Sequence, residues 1–220
     1  MNDQPVRDMR IGYANPPLIE TLMAATPLQQ FSSWFREAVD AHLPEPNAMV
    51  LSTADGQGNL TSRTVLMKDI GPAGITFFTN HDSTKGQAIA AHPQVSVVFP
   101  WYQLQRQVCI SGVAQLINRD EVDEYFATRP RDSQLGAWAS AQSTIIKSAE
   151  VLQAAFQEAA ARFPGNIPTP PHWGGYRIAV STIEFWSGRP SRLHDRLRYA
   201  RISEGGLDDA ASWVLERLSP

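Results

Sequence analysis

The 220-residue sequence predicts an α+β fold, mainly β, in which an antiparallel sheet closes fully or partly into a barrel covered by helices. Two observations lead to this prediction. About seven strand-like segments follow one another through short turns instead of regular helices, which favours antiparallel pairing. So many short strands in a chain of one-domain size suggest a barrel rather than an open sheet.

The first part of the chain is predicted to be irregular. Residues 1–25 contain three prolines and no periodic pattern, so we predict a mobile N-terminal segment ahead of a single domain over residues 26–220. A helix is expected from Thr26, which can cap it, with Pro27 in the first turn and Gln29 completing a capping box. Its apolar stripe consists of Leu28, Phe31, Phe35, Val39 and Leu43.

The barrel strands are predicted from β-rich apolar runs that are separated by turn residues. The turn over residues 55–59 contains two glycines and joins the runs on either side of it into a hairpin. A short helix over residues 83–91 follows the third strand and ends before Pro93. The predicted strands are residues 48–54, 60–68, 75–80, 95–101, 104–117, 176–186, 192–202 and 212–218.

The middle of the chain is predicted to be helical. Asn118 and Glu121 form a capping box for a helix over residues 119–128, and a second short helix covers residues 132–140. Ser143 or Thr144 is expected to open a longer helix. The apolar face of that helix would carry Ile145, Ala149, Leu152, Phe156 and Phe163.

Composition excludes several classes of protein. The net charge of −3 argues against bulk nucleic-acid binding, which needs a basic surface. The five histidines lack metal-ligand spacing, so no metal site is expected. The single cysteine, Cys109, lies in an apolar strand and is interpreted as a buried apolar residue. No apolar run has the length of a membrane span and the N-terminus is polar, so we predict a cytoplasmic protein.

The densest group of cations lies in residues 192–198. If this segment is a regular strand, Arg192, His194, Arg196 and Arg198 share one face, because alternate side chains in a strand point the same way. Such a face is often only solvated. Here the preceding Trp186 offers an aromatic platform beside the cations, and the combination favours a flat anionic ligand.

Three further segments could bind anions. Arg129, Arg131 and Ser133 lie where two helices join, although a surface loop with paired charges explains them equally well. Arg63 and Lys68 differ in strand parity, so in a regular strand they face opposite sides. Residues 83–85 combine hydroxyls with a lysine at a helix start, which an ordinary N-cap also explains. Together these clusters indicate phosphorylated small molecules as ligands.

The chain resembles the pyridoxine (pyridoxamine) 5′-phosphate oxidase family from about residue 10 to residue 220. The segments that carry the resemblance are Arg63-Thr-Val-Leu-Met-Lys68, Phe77-Phe-Thr-Asn80, Ser83-Thr-Lys85, Phe99-Pro-Trp101, Arg106-Gln107, Arg129-Pro-Arg-Asp-Ser-Gln-Leu-Gly-Ala-Trp138, Gln142-Ser143, Trp173-Gly-Gly175, Glu184-Phe-Trp186, Arg192-Leu-His-Asp-Arg196 and Arg217-Leu-Ser-Pro220. Each segment is weak alone, and their joint occurrence in this order is specific.

The resemblance implies a split β-barrel of Greek-key type that binds FMN at the interface of a homodimer. It further implies oxidation of pyridoxamine or pyridoxine 5′-phosphate by O2 to pyridoxal 5′-phosphate, with release of hydrogen peroxide. The implied FMN contacts are Arg63, Thr64, Val65, Leu66, Met67, Lys68, Phe78, Thr79, Thr84, Lys85, Gln107, Gln142, Ser143, Trp186 and Arg196. The implied substrate contacts are Arg10, Tyr13, Lys68, Tyr125, Arg129, Ser133, Arg192 and His194, of which Arg192 and His194 would be catalytic.

Two positions depart from the family pattern. Thr84 stands where the family usually has Arg, which removes one cationic contact to the FMN phosphate, and Phe78 replaces a usual Tyr. Two other functions remain open from the sequence: a related split-barrel flavin oxidase of the phenazine-biosynthesis type, and a non-catalytic protein that binds flavin or pyridoxal phosphate.

Overall fold

The computed structural model of the protein describes residues 5–220, and these residues form nine strands and five α-helices. All nine strands belong to one antiparallel sheet. The strands are β1 (Ala48–Ala54), β2 (Leu60–Leu66), β3 (Asp69–Gly71), β4 (Gly74–Asn80), β5 (Gln94–Trp101), β6 (Arg106–Leu116), β7 (Trp173–Ser187), β8 (Asp195–Arg201) and β9 (Trp213–Arg217). The helices are α1 (Pro27–Asp40), α2 (Thr84–Ala91), α3 (Arg119–Thr128), α4 (Arg131–Ala139) and α5 (Ala149–Arg162).

The sheet is curled, so that strands near its two ends approach each other. Its hydrogen-bonded order is β2-β1-β5-β6-β7-β4-β3, with β8 and β9 added beyond β7. β2 and β4 are distant in this order and still come into contact, as in a barrel that is closed on one side and split on the other. The predicted mainly-β α+β fold with a split antiparallel barrel is confirmed.

The barrel interior is filled by alternate residues of the strands, such as Leu51, Val97 and Phe99, which are fully buried. Helix α1 packs Phe31 and Trp34 into this core, against Phe99 and Phe185. The helix begins where the sequence predicts, because the hydroxyl of Thr26 accepts a hydrogen bond from the Gln29 amide at 3.3 Å.

A second apolar cluster joins α3, α4 and α5 to the first residues of β7. It contains Val122, Phe126, Leu135, Ala159, Ile167 and Trp173. Because these helices pack beside the β4–β7 pair rather than inside the barrel, a cleft remains between them and the edge of the sheet near β2.

Two predicted element boundaries are wrong for backbone reasons. The strand predicted over 192–202 begins only at Asp195, because Ser191 and Arg192 have the left-handed φ values of 58° and 62°. The helix predicted from Ser143 or Thr144 begins only at Ala149. Ser143 has a φ of 73°, and Ile145 is completely exposed, so no packing supports a helix there.

Other differences are smaller. The short strand β3 was not predicted, since three residues carry no periodic pattern. β7 begins at Trp173 instead of residue 176, and β6 begins at Arg106 after a 3₁₀ turn over Tyr102–Leu104. β2 ends at Leu66.

The N-terminal segment lies along the barrel from Tyr13 onward. The Asn15 side chain donates to the Leu104 carbonyl at 2.9 Å and to Ser187 Oγ at 3.1 Å, and the Leu18 amide donates to Asp195 Oδ2 at 3.0 Å. Residues 1–4 lie outside the described part of the chain, and the mobility of the segment stays a prediction. Across residues 5–220, no helix combines the length and apolar character that crossing a membrane requires.

Candidate active site

A cavity of about 810 Å³ occupies the cleft between the β2–β4 edge of the sheet and helices α3 and α4. Four cationic side chains line it, and no Asp or Glu of the described chain does. The cations are Arg63, Lys68, Lys85 and Arg129. Hydroxyl, amide and aromatic groups complete the wall: Thr64, Thr79, Asn80, Thr128, Ser133, Ser140, Gln142, Phe78, Tyr125 and Trp173. An uncompensated positive cavity of this kind is built to receive anions.

Arg63 and Lys68 line the same cavity, so the expectation that they face opposite sides is wrong. That expectation assumed one regular strand, and β2 ends at Leu66, two residues before Lys68. The Lys68 amide then donates to the Thr76 carbonyl at 2.8 Å, which turns the chain toward β4. Arg63 is braced by the Leu51 carbonyl at 3.1 Å.

Lys85 is the most enclosed of the four cations, with 9% of the residue exposed. Its Nζ donates to Thr79 Oγ1 at 3.2 Å, Ser83 Oγ at 3.3 Å and Gln142 Oε1 at 3.0 Å, all of them neutral acceptors. Burial, and after it the charge of Arg63, lowers the pKa of Lys85 below its ordinary value. An anion beside Nζ would favour the charged form of Lys85 and so raise this pKa again.

The start of α2 contains the N-cap of the helix and one residue that lines the cavity. Ser83 is its N-cap, since its hydroxyl accepts from the Gly86 amide at 3.3 Å, as the sequence allowed. The Thr84 side chain is exposed and does not line the cavity. Of the three residues 83–85, only Lys85 therefore reaches the cavity.

Arg129 and Arg131 have separate roles. Arg131 turns away and donates to the Gly165 carbonyl at 2.7 Å and the Phe163 carbonyl at 2.5 Å. Arg129 lines the cavity, and its Nη1 is buried without a hydrogen-bond partner among the described residues. Burial lowers the pKa of Arg129. The amide of Ser133 is bonded to the Pro130 carbonyl, so Ser133 can offer only its hydroxyl.

Three aromatic rings form a parallel stack along one wall. The rings of Phe78 and Tyr125 have centroids 4.0 Å apart and are inclined by 11°, and Trp173 lies 5.3 Å from Phe78 at 4°. The stack is close because Gly175 has no side chain: a Cβ there would come within 2.8 Å of the Phe78 ring. Phe78 is thus an aromatic wall residue even without the hydroxyl of the usual Tyr.

A second group of predicted residues lies around Tyr13. The Tyr13 ring is 5.8 Å from Trp186 and 5.6 Å from His194, and these two rings are 4.7 Å apart. Gly188 permits this arrangement, since a Cβ there would lie 2.7 Å from Tyr13 Cγ. Arg10 and Arg192 line a neighbouring cavity of about 500 Å³ together with Tyr13. We call this group the Tyr13 cluster.

The hydrogen bonding of His194 fixes the tautomer of the neutral ring. Its Nδ1 lies 3.1 Å from the Arg189 amide nitrogen, which can only donate. Nδ1 is therefore the acceptor, and Nε2 carries the proton. A neutral His194 offers Nε2–H as a hydrogen-bond donor.

The face that was predicted to carry four uncompensated cations is neutralised. Arg196 forms a bidentate pair with Glu184 at 2.7 and 2.9 Å. Arg198 contacts Glu216 at 2.7 Å. Arg192 and His194 precede β8, so they do not share the strand alternation at all. The prediction failed because it considered one strand, while the carboxylates come from the neighbouring strands β7 and β9.

Within one chain, most of the predicted site residues fall into two groups at opposite ends of β7. Trp173 at the start of β7 lies in the cationic cavity, and Trp186 near its end belongs to the Tyr13 cluster. Gln107, Trp186 and Arg196 are register neighbours across β6, β7 and β8. The two tryptophans are thirteen positions apart, roughly 40 Å along an extended strand.

Some predicted contacts lie in neither group. Met67 is buried in the barrel core, and both its amide and its carbonyl are bonded to Asn47. Ser143 is exposed beside the cavity-lining Gln142.

Comparisons with known proteins identify the family. A family model described as pyridoxamine 5′-phosphate oxidase matches residues 35–163, and one described as the pyridoxine 5′-phosphate oxidase C-terminal dimerisation region matches residues 173–220. The chain belongs to the pyridoxamine 5′-phosphate oxidase family. Relatives named pyridoxine/pyridoxamine 5′-phosphate oxidase include one from Streptomyces avermitilis, 50% identical over 98% of both chains. Another, from Cupriavidus necator, is 49% identical over 97% of this chain and 98% of that protein.

Two solved structures show the same fold. PhzG from Burkholderia lata 383, in complex with tetrahydrophenazine-1-carboxylic acid, has a TM-score of 0.85 at 30% identity and covers 95% of this chain and 100% of its own. An FMN-binding protein from Nostoc punctiforme, related to the family, has a TM-score of 0.68 at 16% identity, covering 90% of this chain and 100% of its own. The second likeness concerns the fold alone.

The sequence predicted no role for Trp173, although it belongs to one of the segments that carry the family resemblance. Trp173 and Asn80 line the cavity beside the predicted residues. The available signal was the pair Gly174 and Gly175 directly after the tryptophan. A Cβ on Gly174 would lie 2.3 Å from His81, so adjacent glycines mark a place where other side chains approach the strand closely.

Proposed function

We propose that the protein is an FMN-dependent oxidase that converts pyridoxamine or pyridoxine 5′-phosphate to pyridoxal 5′-phosphate, with O2 as electron acceptor and hydrogen peroxide as co-product. The alcohol would be oxidised directly to the aldehyde, whereas the amine would be oxidised to an imine that takes up water and releases ammonia. The observation that carries the proposal is the cavity with four cations and no carboxylate. A phosphate monoester carries a charge of roughly −1.5 to −2 at neutral pH. Two phosphorylated ligands, a cofactor and a substrate, would balance four cations.

The cations divide naturally between two phosphates. Arg63 and Lys85 are electrostatically coupled, and Lys85 is bonded to Thr79 and Gln142, so this group fits the FMN phosphate. Lys85 has only neutral partners, as expected for a lysine that awaits an anion. FMN, when bound, would accept a hydride equivalent from the substrate and pass the electrons to O2. Without an Arg at position 84, Arg63 and Lys85 would carry the phosphate charge by themselves.

The remaining group fits the substrate phosphate. Arg129 and Lys68 would provide the charge, with the hydroxyls of Tyr125 and Ser133 as additional hydrogen-bond donors. Fixing the phosphate at one end places the pyridine ring in one orientation, which lowers the entropic part of the barrier.

The Tyr13 cluster would act at the other end of the substrate. Arg192 and the Nε2–H of His194 would orient the reacting amine or alcohol, while Tyr13 and Arg10 would cover it. Because Nδ1 of His194 accepts from Arg189, the geometry supports a donor role for this histidine more than that of a proton acceptor. Excluding water from this end would strengthen each of these hydrogen bonds.

A homodimer accounts for the separation of the two groups. We propose that each complete site combines the cationic cavity of one protomer with the Tyr13 cluster of its partner. The match of residues 173–220 to a dimerisation region supports this assembly, since that region contains both Trp173 and Trp186. Gln107, Trp186 and Arg196 would then reach the flavin from the partner's side. Cytoplasmic localisation stays a prediction from the sequence.

A phenazine-type oxidation is the second candidate, because PhzG shares the fold at a TM-score of 0.85. Two proteins from Burkholderia lata 383 allow a comparison. The chain is 48% identical to the one named pyridoxine/pyridoxamine 5′-phosphate oxidase and 30% identical to PhzG. The retained Arg129 and Lys68 also favour a phosphorylated substrate over a phosphate-free carboxylate.

The deciding experiment is a steady-state assay of the purified, FMN-reconstituted protein. Pyridoxamine 5′-phosphate and pyridoxine 5′-phosphate are each supplied with O2, and aldehyde and peroxide are measured together. Unphosphorylated pyridoxamine and a tetrahydrophenazine carboxylate are the comparison substrates. We expect equal amounts of aldehyde and peroxide from the phosphorylated substrates. Preferential oxidation of the phenazine would support the second candidate, and a flavin-loaded protein without turnover would support a binding function.

A further inference from the structure

Arg129 is held in the cavity by aromatic faces instead of by an acceptor. Its guanidinium carbon lies 4.7 Å from the centre of the Trp173 ring and 5.5 Å from that of Phe126. No carboxylate in the described residues forms an ion pair with Arg129. The Nη1 atom, buried and without a hydrogen-bond partner, lies in this aromatic surrounding.

The Trp173 ring is itself fixed from several sides. Phe78 stacks on it at 5.3 Å, and Phe126 meets it edge-on at 5.0 Å. Its amide donates to the Pro170 carbonyl at 3.1 Å, and its backbone pairs with Asn80 of β4. An indole fixed in this way offers a rigid aromatic face for a cation–π contact.

Two other arginines of the chain lie over buried tryptophans at 4.4 Å, and both are used structurally. Arg201 over Trp213 donates to the Val180 carbonyl at 2.8 Å. Arg106 over Trp34 pairs with Glu37 at 2.5 Å. Arg129 lies at a similar distance, 4.7 Å, from the Trp173 ring without such a partner among the described residues, so its hydrogen-bonding capacity is left for a ligand.

We propose that Trp173 is a positioning residue for recognition of the substrate phosphate: its indole face holds the Arg129 guanidinium at the cavity wall, ready for an incoming phosphate. The inference rests on the proposed function and deepens it, because it assigns phosphate specificity to a residue that need not touch the phosphate. A guanidinium placed before binding loses less conformational freedom when the ligand arrives. Removal of the indole should therefore weaken phosphate binding selectively.

The test compares Trp173→Leu, Trp173→Phe and the control Trp213→Leu, all as FMN-loaded protein at one ionic strength. Trp213 is a matched control, because both tryptophans are 7% exposed and both carry a stacked arginine. The ligands for calorimetry are 4-deoxypyridoxine 5′-phosphate, which lacks the oxidisable group, and its unphosphorylated form. The KM and kcat for pyridoxamine 5′-phosphate are measured in parallel.

We expect Trp173→Leu to reduce the affinity for the phosphorylated analogue roughly 5- to 30-fold, the range of a partly desolvated cation–π contact. The affinity for the unphosphorylated analogue and the kcat should stay within about twofold, while KM rises with the lost affinity. Trp173→Phe should recover most of the loss, since phenylalanine keeps an aromatic face. Trp213→Leu should lower thermal stability and leave the ratio of the two affinities unchanged.

Equal losses for both analogues, or an unchanged ratio in folded Trp173→Leu, would overturn the proposal. If Trp173→Leu does not fold, Trp173→Phe decides: a smaller loss confined to the phosphorylated analogue supports the role, and no change refutes it. A parent protein that prefers the phosphorylated analogue without oxidising pyridoxamine 5′-phosphate refutes the proposed oxidase and leaves the role of Trp173 standing. A parent without that preference contradicts both.

Discussion

Arg129 and Arg131 are two residues apart in the sequence and have different surroundings in the fold. Arg131 donates to two backbone carbonyls and so ties α4 to the loop after α5. Arg129 keeps a buried Nη1 without a partner in the described chain. The same side chain is thus structural at one position and available to a ligand at the other, and the acceptors within reach make the difference.

This contrast gives a paired prediction. Arg129→Ala should raise the KM for pyridoxamine 5′-phosphate on the order of 10- to 100-fold, the loss of a charge-assisted hydrogen bond, with FMN still bound. Arg131→Ala is the control, and it should lower stability and leave KM unchanged. Steady-state kinetics together with the flavin absorbance of the purified variants measure both effects. Loss of flavin from Arg129→Ala would show that the two phosphate sites are divided differently.

Cys109 provides a prediction about pH. Burial, and after it the nearby Glu184 carboxylate, raises the pKa of the thiol from the ordinary 9.0 to about 11. At pH 8 both values lie above the solution pH, so the two-unit shift leaves roughly a hundredfold less thiolate than in an ordinary cysteine. Alkylation by iodoacetamide, followed by mass spectrometry, should be that much slower in folded protein than in urea. Equal rates in the two samples would contradict the assigned environment.

At the scale of helices and strands, the start of a helix could be predicted from the sequence where a side chain close in the chain caps it. Thr26 as N-cap, Ser83 as N-cap and Asn118 as N-cap could all be predicted, because each cap bonds to an amide three residues away. The left-handed backbone conformation of Ser191 and Arg192 could not be predicted, since neither side chain favours a positive φ. Their conformation is imposed by the surrounding fold.

Thr26 supplies a prediction for the first helix. Thr26→Ala should lower the apparent free energy of unfolding by about 1 kcal/mol, because the Gln29 amide loses the side-chain acceptor that caps the helix. The exposed Thr21 is the control, and Thr21→Ala should change stability much less. Urea unfolding at a single protein concentration measures both variants, and the KM should stay unchanged. Equal stability of the two variants would mean that the cap contributes nothing.

The candidate site was predictable to a similar degree. Arg63, Lys68, Lys85 and Arg129 could be predicted from the segments in which they lie, and the fold brings all four into one cavity. Which cations are neutralised could not be predicted, because the carboxylates that pair with Arg196 and Arg198 come from neighbouring strands. Pairing partners across a sheet depend on register, which strand-by-strand interpretation does not supply.

At the scale of the whole molecule, β7 connects the two halves of the candidate site. Its first residues lie in the cationic cavity, and its last residues lie in the Tyr13 cluster. A strand of fifteen residues is long for a globular protein, in which strands of about five or six are typical. Each group contains a tryptophan of this one strand, and the length of the strand separates the two groups within a protomer.

The proposed sharing of sites predicts complementation between two weakened variants. Arg129→Ala damages the cavity, and Arg192→Ala damages the Tyr13 cluster. Random reassociation of equal amounts should give heterodimers in half of the molecules, each with one intact site, and so about a quarter of the parental activity. The assay is made at a substrate concentration far below the raised KM, after partial unfolding and refolding. Each variant taken through the same cycle alone is the control. A mixture no more active than the mean of the two would show that each chain builds its own site.

The length of β7 also has a thermodynamic consequence. When two protomers both contact the cofactor, flavin binding and dimerisation are coupled. Flavin must then strengthen the dimer by the same factor by which the partner chain strengthens flavin binding. Dilution should then release flavin, and flavin removal should loosen the dimer, although neither treatment alters a single contact residue. On this assembly, the specific activity of the enzyme depends on its own concentration, which is a property of mass action and not of any side chain.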